Sequence, residues 1–159
     1  MASLASTADL PHHFELWTAL ECLAVHLAAQ TGQRDVRSVR AVFPEFNQQV
    51  LAPYDQRHWH RLERQLHHAI SQQSGNSVLA RMVARISGDL QATYLQRVSQ
   101  PIHRPGTLWL LHCQHRKILS CIEAGQPADA VWHTRSHLHL IRDQVMAALQ
   151  HRTRLVALP

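Results

Sequence analysis

Residues 55–86 read DQRHWHRLERQLHHAISQQSGNSVLARMVARI, and the spacing within this stretch decides the fold class. Trp59, Leu62, Leu66, Ala69 and Ile70 recur at three- and four-residue intervals, which places them on one side of a helix over 56–73. Asp55 stands just before it, where a short carboxylate can accept an orphan amide of the first turn. Ser74, Gly75 and Asn76 supply a turn. A second helix follows over 77–98, with Leu79, Met82, Val83, Ile86, Leu90 and Leu95 as its apolar set. Two amphipathic helices joined by so short a turn fold back on each other, and their apolar stripes need further helices to cover them.

The rest of the chain supplies those helices. Residues 11–32, PHHFELWTALECLAVHLAAQTG, form a first one, with Leu16, Leu20, Leu23, Val25 and Leu27 on a broad apolar side and Gly32 as its stop. A second helical region over 35–55 carries Val36, Val39, Val42, Phe43 and Phe46, and Pro44 must interrupt it unless it begins a new turn. The segment PIHRPGT is the clearest break, after which Thr107 is expected to cap a helix over 108–124 with Leu108, Leu111, His115, Ile118, Leu119 and Ile122 inward. Gly125 ends it. Pro127 suits the first position of a last helix to about residue 150, where Ala130, Thr134, His137, Ile141, Val145 and Leu149 share one side. The expected architecture is an all-α antiparallel bundle of about six helices. Its domain plan is a flexible segment over 1–10, one helical domain over 11–151, and a C-terminal tail over 152–159.

Composition narrows the function. A chain of 159 residues holds one well-filled core. The net charge of +5 is nearly all arginine, since Lys117 is the only lysine, and it is spread along the chain. That pattern suits an acidic small molecule as well as it suits a nucleic acid, and no helix-turn-helix pair, zinc finger or basic stripe with interleaved aromatics is present. Cys22, Cys113 and Cys121 have no CxxC spacing, which argues against a disulfide scaffold or a thiolate zinc site and for the cytoplasm. No membrane-spanning run and no secretion signal is evident.

Among fourteen histidines, the informative ones fall on apolar stripes. Glu63 and His67 are four residues apart and share a face beside Leu62 and Leu66, while His115 and His137 each stand at an inward position of their own helix. A buried neutral imidazole needs a partner for each ring nitrogen, and a divalent transition metal (Zn, Ni, Fe, Mn, Co or Cu) held by one carboxylate and three imidazoles supplies one. Hydrogen bonds to Glu, Ser, Gln or water meet the same need, so the residues alone leave both open. His58, His60 and His68 read with His67 as an exposed cluster, and His133 is a rival ligand by its spacing to His137. Arg81 and Arg85, again four apart, are candidates to point inward and clamp an acidic ligand, with Asn76 as a further ligand contact or a helix cap. No catalytic residue is singled out.

Four segments, LWTALECLAVHLAAQ (16–30), ERQLHHAISQQSGNSVLARMVARI (63–86), QHRKILSCIEAGQPADA (114–130) and HTRSHL (133–138), together resemble the ligand-binding FCD domain of the FadR-like branch of GntR transcription regulators. The likeness runs from about residue 12 to 150. It implies an all-helical, commonly dimeric domain in which an aspartate and three histidines hold a metal and small carboxylic acids bind nearby. The metal set carries over to Glu63, His67, His115 and His137, with Glu63 in place of the usual aspartate and Trp17 where the family frequently has an arginine. The winged helix-turn-helix that normally precedes this domain has no counterpart here, so no direct DNA-binding domain is expected in this chain. The first expectation is therefore metal-dependent binding of a small carboxylate by a homodimeric effector domain. A stand-alone metalloenzyme acting on a small acidic substrate, and a structural or partner-binding bundle, are the alternatives.

Overall fold

The computed structural model describes residues 9–30, 36–51, 53–97 and 105–156. Among these, seven helical segments and no strand are found: α1 (Leu10–Gln30), α2 (Arg37–Arg40), α3 (Phe43–Leu51), α4 (Gln56–Gln72), α5 (Ser77–Arg97), α6 (Pro105–Glu123) and α7 (Pro127–Val156). The all-α bundle is thus as expected, with one region divided. Pro44 is the second residue of α3, where its missing amide leaves no bond unmade, so the chain restarts there and the region over 35–55 becomes two short helices.

Local chemistry sets the other boundaries. Asp55 Oδ1 accepts from the amides of Arg57 at 2.9 Å and His58 at 3.1 Å, and Asn76 Oδ1 does the same for Val78 at 3.1 Å and Leu79 at 3.0 Å. Gly75 and Gly125 take the left-handed conformation, at φ 70° and 68°. After α6 the amide of Gln126 donates to the Cys121 carbonyl at 2.9 Å and that of Gly125 to Ile122 at 3.2 Å, the paired closure that a glycine at this position permits. Thr107 is not the cap expected of it, because α6 already begins at Pro105. The expected stop at Gly32, residues 101–104 of the expected PIHRPGT break and the side chain of Leu95 lie outside the described residues, whereas Pro105, Gly106 and Thr107 of that break already form the start of α6. The last helix continues to Val156.

The α4/α5 and α6/α7 pairs are hairpins closed by these short turns, and α1 packs against α4, α5, α6 and α7. A helix in that central place must be apolar over much of its circumference. Phe14, Trp17, Val25, Ala28 and Ala29 are all within 1 % of full burial, and the three alanines Ala24, Ala28 and Ala29 let neighbouring backbones come close. Phe46 of α3 and Trp59 of α4 meet edge to face, with ring centroids 4.9 Å apart, and join the same core.

Leu16, Leu23 and Met82, expected inward, are instead about half exposed. The apolar arc of α1 is wider than the part its neighbours cover, and Leu16 and Met82 line a groove between α1 and α5. No described helix is long and apolar enough to cross a membrane.

Candidate metal centre

Three helices bring their inward polar residues to one point. Glu63 and His67 project from successive turns of α4, His115 comes from α6 and His137 from α7, and all four are at most 3 % exposed. Their donor atoms lie within 4.8 Å of one another. The Nε2 atoms of His67, His115 and His137 stand 3.4, 3.3 and 3.5 Å from the same oxygen, Glu63 Oε2. His115 Nε2 and His137 Nε2 are 3.0 Å apart.

The outer ring nitrogens fix what the inner ones present. His67 Nδ1 is 3.0 Å from Glu21 Oε1, an acceptor only, and that oxygen also accepts from Trp17 Nε1 at 3.0 Å. His137 Nδ1 is 3.2 Å from Gln114 Oε1. With Nδ1 donating outward, the neutral forms of His67 and His137 turn a lone pair on Nε2 toward Glu63. Glu63 makes no hydrogen bond through either oxygen, and His67 Nε2 makes none.

The electrostatics follow from this crowding. Burial pushes the Glu63 carboxyl up, but the three facing imidazoles, His115 first, outweigh it and hold the group well below the usual carboxylate range. Burial disfavours a charge on His67, yet the carboxylates of Glu21 and Glu63 raise its pKa to about 10. Burial lowers His115, and burial together with His115 lowers His137 to about 4. Without an ion, the two carboxylates thus favour a proton on His67, while burial keeps His115 and His137 toward their neutral forms.

A divalent ion bonded at about 2.1 Å to each donor needs donors roughly 3–4 Å apart, and this group, with its ligand atoms all within 4.8 Å of one another, could hold one. Mixed nitrogen and oxygen ligands suit a transition ion. Phe46, its ring 4.9 Å from that of His115, and Trp17, 5.5 Å from His67, shield two sides of the cluster.

Other candidates fall elsewhere. Arg81 and Arg85 do not point into the bundle; both are exposed, they line the outer groove with Leu16, Leu20 and Met82, and Arg85 pairs with Asp89 at 3.3 Å. The reason is the register of α5, in which Val83, Ile86 and Leu90 occupy the inward side. Asn76 is exposed and uses Oδ1 for the cap described above. His133 lies against Trp132, with ring centroids 4.8 Å apart, and is not one of the four. His60, expected with the exposed histidines, is only 2 % exposed. Cys22 and Cys121 are buried free thiols whose pKa burial raises, in keeping with space filling.

Sequence reasoning missed Glu21. It is fully buried, and its signal was a lone acid within the apolar run ALECLAV of α1. It also passed over His112, which is 1 % exposed, has neither ring nitrogen hydrogen-bonded and sits against Phe43 and Phe46.

A family model described as FCD domain matches residues 12–140. The chain belongs to the FCD-domain family. That family is one of ligand-binding effector domains, and the all-helical fold agrees with it. Among curated proteins no match to the chain is found. The buried Glu and His group lies inside the matched FCD region.

Proposed function

We propose that this FCD domain is an effector-binding module in which Glu63, His67, His115 and His137 hold a divalent transition ion, and the ion in turn receives a small carboxylic acid. One observation carries the reading: three imidazole nitrogens surround a single buried carboxylate oxygen at 3.3–3.5 Å, and that carboxylate has no hydrogen bond. Burying that carboxylate is costly, the facing imidazoles compensate it only in part, and a divalent cation among the donors would offset the cost more fully. When bound, the ion supplies a Lewis-acidic anchor with coordination positions left for an oxygen ligand.

The protein's own part is to orient and to exclude water. Glu21 and Gln114 turn the His67 and His137 rings, Phe46 and Trp17 cover the cluster, and no arginine or lysine is buried among the described residues. The charge of an acidic ligand therefore falls to the ion rather than to the Arg81 and Arg85 pair. Binding that favours one arrangement of the helices around the cluster shifts the population of the domain, which in a homodimer is felt at the partner.

Elemental analysis of untagged protein tests the first half of this reading, and calorimetric titration of a panel of small mono- and dicarboxylic acids tests the second. Metal retained with the fold, and acids that bind the loaded protein but not the chelator-treated one, are the expected results. Protein that takes up no transition ion, or acids that bind equally without one, overturns it.

A further inference from the structure

The three histidines of the cluster are not backed alike. Behind His67 stands a carboxylate, Glu21, at 3.0 Å; behind His137 stands a neutral amide, Gln114, at 3.2 Å; and His115 Nδ1 has no hydrogen-bond partner. An acceptor on the outer nitrogen fixes the ring's orientation and raises the donor strength of the inner one, and a charged acceptor does so more strongly than a neutral one.

Glu21 is a costly way to pack a helix. It lies on the apolar side of α1, fully buried, with Oε2 making no hydrogen bond, and an aliphatic side chain would fill the same space without removing a charge from water. Its other oxygen receives both Trp17 Nε1 and His67 Nδ1. Trp17 donates without bringing a charge, so it holds the carboxylate in place and leaves its negative charge directed at His67. The indole also meets the His67 ring nearly edge-on, at 64°, which limits how that ring can turn.

We infer that Glu21, braced by Trp17, is a positioning residue of the metal centre that makes His67 the strongest of its three imidazole donors. This rests on the metal reading above and concerns the order of donor strengths, a property on which that reading does not depend. The proposed order is His67 before His137 before His115, following carboxylate, amide and no acceptor.

The test uses the full chain with Co²⁺ alone as probe. Affinity is measured by chelator competition at fixed pH, and the ligand-field absorption of the bound ion is recorded. Glu21→Gln keeps the shape and removes the charge; it is expected to weaken Co²⁺ binding by about 10- to 100-fold and to move the absorption bands. Trp17→Phe should produce a smaller change in the same direction. Gln114→Glu places a second carboxylate behind His137 and should tighten binding several-fold, a gain that a merely structural role for these acceptors does not produce, and it serves as well if Glu21→Gln fails to fold. Wild-type binding with Glu21→Gln of equal affinity and unshifted bands, or Gln114→Glu without gain, overturns the inference and leaves the metal reading standing. Wild-type protein that binds no Co²⁺ overturns both.

Discussion

Two residue pairs with the same spacing have opposite fates in this molecule. Glu63 and His67 on α4 are four apart and almost wholly buried, whereas Arg81 and Arg85 on α5 are four apart and exposed beside a groove lined by Leu16, Leu20 and Met82. A four-residue interval says that two side chains share a face of a helix. Which face it is depends on their neighbours. Leu62, Leu66 and Ile70 flank the α4 pair and are buried with it. On α5 the inward places are taken by Val83, Ile86 and Leu90, and the arginines are left on the outer surface.

The contrast is broken most severely at the inner pair. His67→Ala, and equally His115→Ala, is expected to weaken metal uptake by about 100-fold or more, beyond the range of outer-sphere changes; elemental analysis after gel filtration is the check, and undiminished metal content in either variant defeats the ligand assignment. The same substitutions at Arg81 and Arg85 should leave metal content unchanged.

The next effect is a pH dependence of the chelator-treated protein, read as its melting temperature. His67, raised to about 10 in the fold, contributes stability that is fully present below its ordinary pKa near 6.5 and is lost as pH rises through about 10. His137, lowered to about 4, contributes stability present above 6.5 and lost as pH falls through about 4, with the lowered His115 acting in the same sense. The depressed Glu63 adds a further loss at more acidic pH. The melting temperature should therefore peak near pH 6.5 and fall on both sides, and the metal-loaded protein should show a flatter profile on the alkaline side. A melting temperature that climbs steadily from pH 6.5 to 10 in the metal-free protein contradicts the charge placed on His67.

Smaller effects belong to the start of α5. Asn76→Ala removes the cap of the Val78 and Leu79 amides and should cost about 1 kcal/mol, or roughly 2–4 °C in a domain of this size, with metal binding intact. Arg85→Ala removes an exposed pair with Asp89 and should change stability by no more than about 0.5 kcal/mol. A loss of bound metal in either variant would join the two regions that the structure keeps apart.

Much of the bundle was legible residue by residue. Asp55 and Asn76 cap the helices they precede, Gly125 closes α6, and Pro127 opens α7. Each depends on groups within a turn of one another, so the chain carries the information locally. Placements that depend on a distant neighbour are not carried locally. Leu16 and Leu23 have the spacing of core residues yet are about half exposed, because the neighbouring helices cover only part of the apolar arc of α1. His60 has the composition of an exposed cluster around it and is buried. Glu21 shows in the sequence only as a lone acid in an apolar run, and its role beside His67 is set by a partner on a different helix.

From the sequence alone came the helical class, the turns, and the fact that Glu63 with His67, His115 and His137 each occupy an inward stripe, all consequences of the 3.6-residue repeat that hydrogen bonding imposes along one helix. Only the tertiary structure decided that the stripes of α4, α6 and α7 meet around one oxygen, that α1 brings Glu21 and Trp17 behind His67, and that Arg81 and Arg85 are left outside. These outcomes are set by how whole helix surfaces fill space against one another, and close packing between segments far apart in the chain leaves no periodic trace in either of them.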